Sequence, residues 1–234
     1  MTRLPITATL LAIALALPAA AQEASSPAPT DMTPEAREAL RAEIRSCLLD
    51  NPEVIIEAMQ VLEERRKART EANDESLVER HREALENDGF SWVGGNPEGD
   101  VTLVEFFDYR CGFCKRAHPV VDRLVKEDGN IRLVLKEFPI LGPESVMAGR
   151  MAMAALEIDP SKYRALNDAL MAHRGRMTEV AAYRIAKEVG YDLAALKARE
   201  DSPEITARLD KTHALAEDLG VQGTPAFVIG DRIV

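Results

Sequence analysis

VTLVEFFDYRCGFCKRAHPVVDRLVKEDGNIRLVLKEFP, residues 101–139, decides the fold. Val101 to Phe107 is an apolar run of strand length, and Cys111-Gly112-Phe113-Cys114 follows it. Lys115 to Glu127 carries helical spacing, Asp128-Gly129-Asn130 supplies a glycine stop, and Ile131 to Phe138 is a second strand. The stretch predicts one βαβ unit, parallel and right-handed. Two cysteines three apart at a helix start can close a small disulfide. The first sits where unpaired N–H groups and the helix dipole stabilise a thiolate, and a thiolate attacks other disulfides. The other readings are half of a zinc site, which needs a second ligand pair, and a structural bridge, which usually closes a longer loop. Cys47 is the remaining cysteine, so no second C-x-x-C exists. Strand, cysteine pair and helix together favour a redox centre.

Downstream, Glu144 to Leu219 holds helical patterns without strand-like runs, punctuated by Asp159-Pro160, Gly175, Gly190-Tyr191-Asp192 and Ser202-Pro203. That length and periodicity predict a helical insertion at about 143–219 rather than a loop. Ala226 to Ile229, Gly230-Asp231 and Arg232 to Val234 then read as a hairpin. Upstream, Gly94-Gly95-Asn96-Pro97-Glu98-Gly99-Asp100 reads as a turn cluster that opens the globular part, 89–234. Residues 34–88 read as a helical arm of two helices, the first capped by Thr33-Pro34 and the second by Asn51-Pro52. Ile55, Met59 and Leu62 make a sparse stripe, whereas Glu63 to Lys67 is charged all round. Such an arm predicts packing on a second copy. Cys47, beside Leu48 and one turn from Ile44, is expected to be a buried thiol in a helix seam, with an intermolecular disulfide as the second choice.

The 46% hydrophobic content permits a core, and a formal net charge of −10 argues against a nucleic-acid partner, which needs clustered Lys and Arg. Residues 1–21 have the layout of a secretory signal: Arg3, an apolar run from Leu10 to Leu17, Pro18, and Ala19-Ala20-Ala21 before Gln22. The run is too short to span a bilayer. Cleavage is expected after Ala21, with no membrane span left, and residues 22–33 read as a disordered linker. Export suits a persistent disulfide, and the compartment is read as a bacterial periplasm.

The βαβ unit with C-G-F-C at its helix start, the helical insertion, and Gly223-Thr224-Pro225-Ala226-Phe227 before a hairpin resemble the DsbA-like branch of the thioredoxin superfamily over about Val101 to Val234. Leu49-Asp50-Asn51-Pro52-Glu53-Val54 in the preceding arm resembles the ScsC-type periplasmic proteins. The resemblance implies an α/β thioredoxin fold with a helical insertion, preceded by an N-terminal helical arm. It also implies a homo-oligomer, as in the trimeric ScsC-type relatives, no cofactor, and as partners exported proteins with cysteines and a membrane redox protein of the DsbD or DsbB kind. Pro225 is implied to be cis and to face the cysteines, with Thr224 before it, so that both bind substrate. A final helix that covers the sheet in the family has no counterpart before Val234, which suggests a fragment.

Cys111 is the expected nucleophile and Cys114 the resolving thiol, with Gly112 and Phe113 completing the motif. Glu105 alternates with Leu103 and Phe107 on the buried strand, so its pKa is expected to rise and it could relay a proton to Cys114; the competing reading pairs it with Lys136. His118 could join the cysteines around a soft metal ion, but is better read as a polar residue before the helix-kinking Pro119, and no metal site is assigned. Met147, Met151 and Met153 are expected to fill core. The reading favours a disulfide isomerase or reductase, with a dithiol oxidase and a Cu(I)-binding copper-tolerance protein as alternatives.

Overall fold

A computed structural model of the chain describes residues 32–234, so the signal-like segment 1–21 and most of the linker 22–33 lie outside the described residues. Thr33, at the linker's end, caps α1 (Pro34–Asp50), its side chain accepting from the Ala36 N–H at 3.3 Å. Then follow α2 (Glu53–Glu86), β1 (Trp92–Gly95), β2 (Val101–Phe107), α3 (Gly112–Asp128), β3 (Ile131–Glu137) and five consecutive helices. These are α4 (Pro143–Ile158), α5 (Pro160–Ala172), α6 (Glu179–Val189), α7 (Leu193–Glu200) and α8 (Pro203–Asp218), and the hairpin β4 (Ala226–Ile229) and β5 (Arg232–Ile233) ends the chain.

The strands form one sheet in the order β1-β3-β2-β4-β5. β2 and β3 pair in parallel through the expected helix crossover, with Leu103 opposite Leu133 and Glu105 opposite Leu135, while β1 and β4 join the pair antiparallel on either side. Gly129 ends α3 in the left-handed conformation (φ 71°), where a side chain would clash with its own backbone. The expected turn over Gly94-Gly95 is corrected: Trp92–Gly95 is β1, whose register with β3 is held by tertiary pairing that two glycines conceal.

The chain divides into two units, one ending at Gln60 and the other running from Val61 to Val234. In the first, α1 has no buried residue, and Leu40, Ile44, Val54, Ile55, Ile56 and Met59 are exposed. Cys47 is exposed as well, which corrects the expectation of a buried seam thiol: two helical pieces alone enclose no core. In the second unit, Leu103, Phe107, Leu133 and Leu135 pack with Met151, Tyr163, Leu166 and both C-x-x-C cysteines on one face of the sheet. The opposite face, Val104, Phe106, Val134 and Val228, is covered by Val78 and Leu85 of α2 and by Leu215, Ala216 and Leu219 at the end of α8. The end of α2 is therefore core of the second unit rather than arm. Met151 and Met153 are buried, and Met147 packs against the core in part.

The candidate redox site

The turn from β2 into α3 places the cysteines, and Asp108 builds that turn. Its carboxylate is buried and accepts from the N–H groups of Arg110 (2.7 Å), Ile140 (2.9 Å) and Leu141 (3.0 Å) and from the Ser145 hydroxyl (2.8 Å), while its carbonyl accepts from the Cys111 N–H (3.0 Å). Sequence reading passed over Asp108; a lone acid directly after an apolar strand, before a helix start, was the available signal.

Cys111 is the N-cap of α3, its sulfur accepting from the Cys114 N–H at 3.3 Å. The side chain is 4% exposed, and its thiol donates to the Thr224 carbonyl at 3.0 Å, across from the cis Thr224–Pro225 bond. Burial opposes ionisation, and so does the Thr224 carbonyl, which needs the proton. The Thr224 hydroxyl, otherwise without a partner, the N–H groups of Cys114 and Phe113, and the Cys114 thiol outweigh them, and the Cys111 pKa falls below that of an ordinary thiol. Cys114, fully buried, is pushed the other way by burial first and by Cys111 after it. One thiol is thus prepared to ionise and its neighbour to stay protonated. Both are free thiols, and Phe113 between them is 67% exposed.

Glu105 lies on the same sheet face, between Leu103 and Phe107, and is 2% exposed. Burial lifts its pKa from 4.5 to about 7 against the pull of His118 and Arg164, and its Oε1 has no hydrogen-bond partner. The competing Glu105–Lys136 pair is not formed. In the parallel register Lys136 stands opposite Phe106, on the other face, where its ammonium bonds Asp88 and the Ala84 carbonyl (2.7 Å). His118 bonds Asp168 at 2.8 Å, and Arg164 reaches the same carboxylate oxygen at 3.0 Å. A second buried acid, Glu137, accepts from the hydroxyls of Tyr109 and Tyr163 (2.7 Å each) and is lifted by burial to about 8.

Residues 102–234 match the family model described as the DSBA-like thioredoxin domain. The chain belongs to that family. Residues 37–69 of this DsbA-like chain also match the model described as the copper resistance protein ScsC N-terminal domain. A thioredoxin-like oxidoreductase from Silicibacter pomeroyi is similar at 48% identity and a TM-score of 0.63, covering 65% of this chain and 87% of that one. Proteus mirabilis ScsC in a transitional conformation is similar at 25% identity and a TM-score of 0.63, over 88% of this chain and 91% of that one. The thiol:disulfide interchange protein DsbA of Bordetella parapertussis is 29% identical over 57% of this chain and 65% of its own length. The chain spans 22% of the length of the curated sodium/proton antiporters from Salinispora that it also matches.

Proposed function

We propose that the mature chain is a periplasmic thiol–disulfide interchange protein that isomerises or reduces disulfides in exported proteins. The observation that carries this reading is geometric: Cys111 caps α3 and faces the Thr224 carbonyl at 3.0 Å while Cys114 is buried one turn inside, an arrangement that favours the thiolate at Cys111 and the thiol at Cys114. The Cys111 thiolate attacks a client disulfide, forming a Cys111–client bond and releasing one client sulfur as thiolate. If another client thiolate then attacks the mixed disulfide, Cys111 is released unchanged and the client is isomerised. If Cys114 attacks instead, the Cys111–Cys114 disulfide forms, the second client thiol leaves, and the client is reduced by two electrons. Glu105 is assigned as the acceptor of the Cys114 proton in that second route, and Thr224 and Pro225 as the backbone edge against which an extended client lies.

The arm is assigned to self-association. Support comes from the exposed apolar side chains before Gln60 and from the match of residues 37–69 to the ScsC N-terminal domain. A further structural relative is a periplasmic thioredoxin-like protein from Salmonella enterica, 30% identical, and no helix among the described residues is long and apolar enough to cross a membrane.

Refolding of scrambled ribonuclease by the mature chain, and by a form lacking residues 22–60, tests the reading. The deletion stops at Gln60 because Val78 and Leu85 belong to the sheet core. Recovery of ribonuclease activity that needs the arm supports an oligomeric isomerase. Rapid oxidation of reduced ribonuclease without repair of the scrambled form makes the protein a dithiol oxidase.

A further inference from the structure

We propose that the rim of the cysteine pair is an anion-recognition surface that selects polypeptide clients whose reactive cysteine is flanked by Asp or Glu, a substrate class within the thiol–disulfide reading above and dependent on it. The chain as a whole is acidic, with 39 Asp and Glu against 29 Lys and Arg. Two clefts beside the start of α3 reverse that sign. One, of about 660 Å³, includes Gly112, Lys115, Arg116 and Arg174 in its lining, and the other, of about 360 Å³, includes Arg110, Lys115, Arg174 and Arg176. Among the described residues, no Asp or Glu lines either cleft.

Two of these five cations are neutralised from outside the clefts: Glu144 holds Arg110 at 3.0 Å and Arg176 at 2.5 Å. The other three are not. Lys115 gives one N–H to the His173 carbonyl at 2.7 Å, and the Arg116 guanidinium lies 4.3 Å from the centre of the exposed Phe113 ring. Neither Arg116 nor Arg174 has a carboxylate partner among the described residues. Burial is the main cause of the depressed Lys115 pKa, with the Arg174 charge adding to it and the buried Asp108 opposing both.

The clefts flank the reacting Cys111 along the chain, since Gly112 lines one and Tyr109 and Arg110 line the other. An extended chain advances about 3.3–3.6 Å per residue, so side chains within two or three positions of a client cysteine bonded to Cys111 fall over these cations. Guanidinium groups pair with carboxylates in a planar, two-pronged geometry that favours Asp and Glu over other acceptors. A single small dianion would occupy one cleft; two clefts sharing Lys115 and Arg174 suit a polypeptide carrying several carboxylates.

The test uses the full mature chain, reduced, and three peptides identical except for Glu, Gln or Lys two positions before and after a single cysteine. That cysteine is presented as a mixed disulfide with 2-mercaptoethanol, and release of peptide thiol is timed. Two exposed ion pairs of modest strength give an expected Glu-to-Gln rate ratio of about fivefold at low salt. The ratio falls toward one at 0.5 M salt, where the screening length is about 4 Å. The Lys peptide reacts more slowly than the Gln peptide, and in the Arg116→Gln/Arg174→Gln double variant the Glu-to-Gln ratio is about one. Because each ratio is internal to one protein, a general loss of activity in the variant does not obscure it. Equal rates for the Glu and Lys peptides at low salt, or a preference that survives the double substitution, overturns the proposal. A preference seen for oxidised glutathione over 2-hydroxyethyl disulfide but not among the peptides overturns the polypeptide assignment in favour of a small anionic thiol. If even the Gln peptide fails to react, the interchange reading itself falls and takes this one with it.

Discussion

Replacing Glu105 by Gln keeps the size of the side chain and removes its proton chemistry, and the structure sets the scale of both consequences. Glu105 is 2% exposed, and burial lifts its pKa from 4.5 to about 7. Between those two pH values the folded protein retains a proton that the unfolded chain has lost. Stability is therefore greatest on the acid side, declines as pH rises through the window from 4.5 to about 7, and levels off above it. At 1.36 kcal/mol per pKa unit the decline due to this group is on the order of 3 kcal/mol. A neutral Gln has no such decline, so Glu105→Gln should match the wild type at pH 4 and exceed it by about 3 kcal/mol at pH 8. The part of the slope due to Glu137, whose pKa is about 8, should remain in both proteins. Urea titrations of the reduced proteins at pH 4, 6 and 8, followed by circular dichroism, measure the difference. The second readout is resolution of a mixed disulfide preformed at Cys111, timed by release of a chromophoric thiol. In the wild type this rate should rise with pH to a plateau near 7; in the variant the inflection is lost and the rate is lower by about 100-fold, the lower end of general-base contributions. Stabilisation at pH 8 with wild-type resolution would make Glu105 a buried acid that moves no proton. An unchanged pH slope of stability would refute the raised pKa itself.

Thr224→Val removes the hydroxyl that favours the Cys111 thiolate; one hydrogen bond to a charged group is worth about 1.5 kcal/mol, so alkylation of Cys111 by iodoacetamide at pH 7 should slow by about tenfold, its pH profile moving upward. An unmoved profile assigns the thiolate to the N–H groups of Cys114 and Phe113 and to the Cys114 thiol. Asp88→Ala strands the fully buried Lys136 ammonium and should cost about 3 kcal/mol in urea titrations at pH 7, whereas Asp88→Ala/Lys136→Met should recover most of it. A loss of less than about 0.5 kcal/mol in the single variant would show that the pair is not sealed from water. Cys114→Ser should accumulate disulfide adducts with clients at Cys111, seen on non-reducing gels and absent from Cys111→Ser; equal adducts in both would reverse the assignment of nucleophile and resolving thiol.

The βαβ unit and the C-x-x-C were legible because each element is announced locally: an apolar strand run, a helical period, a glycine at a left-handed stop. The insertion was legible for the same reason, each helix carrying its own punctuation; Asp192, for one, caps α7 through two N–H bonds. Features set by distant partners were not. β1 contains two glycines and becomes a strand through β3. Val78 and Leu85 are two apolar residues in a long charged helix, and their burial depends on the open sheet face they meet. Arg164 and Asp168, which bear on Glu105 through charge and through His118, arrive from α5, more than fifty residues further along the chain.

The position of Lys136 on the far face of the sheet lets the site hold an acid tuned near neutrality. Side chains alternate across a strand, and the parallel register sets Leu103, Glu105 and Phe107 opposite Leu133, Leu135 and Glu137. Both raised carboxyls thus share the cysteine face, while Lys136, one position away on β3, faces Asp88 beneath the other side of the sheet. A lysine at 135 or 137 would stand on the cysteine face, and a close ammonium there would hold Glu105 ionised, unable to take up a proton at neutral pH. The sheet instead uses its fully buried lysine to anchor the end of α2. Glu105 is left with only the weaker pull of His118 and Arg164, whose charges are shared with Asp168. The parity of two strands therefore separates the ion pair that holds the fold together from the acid available to the thiols.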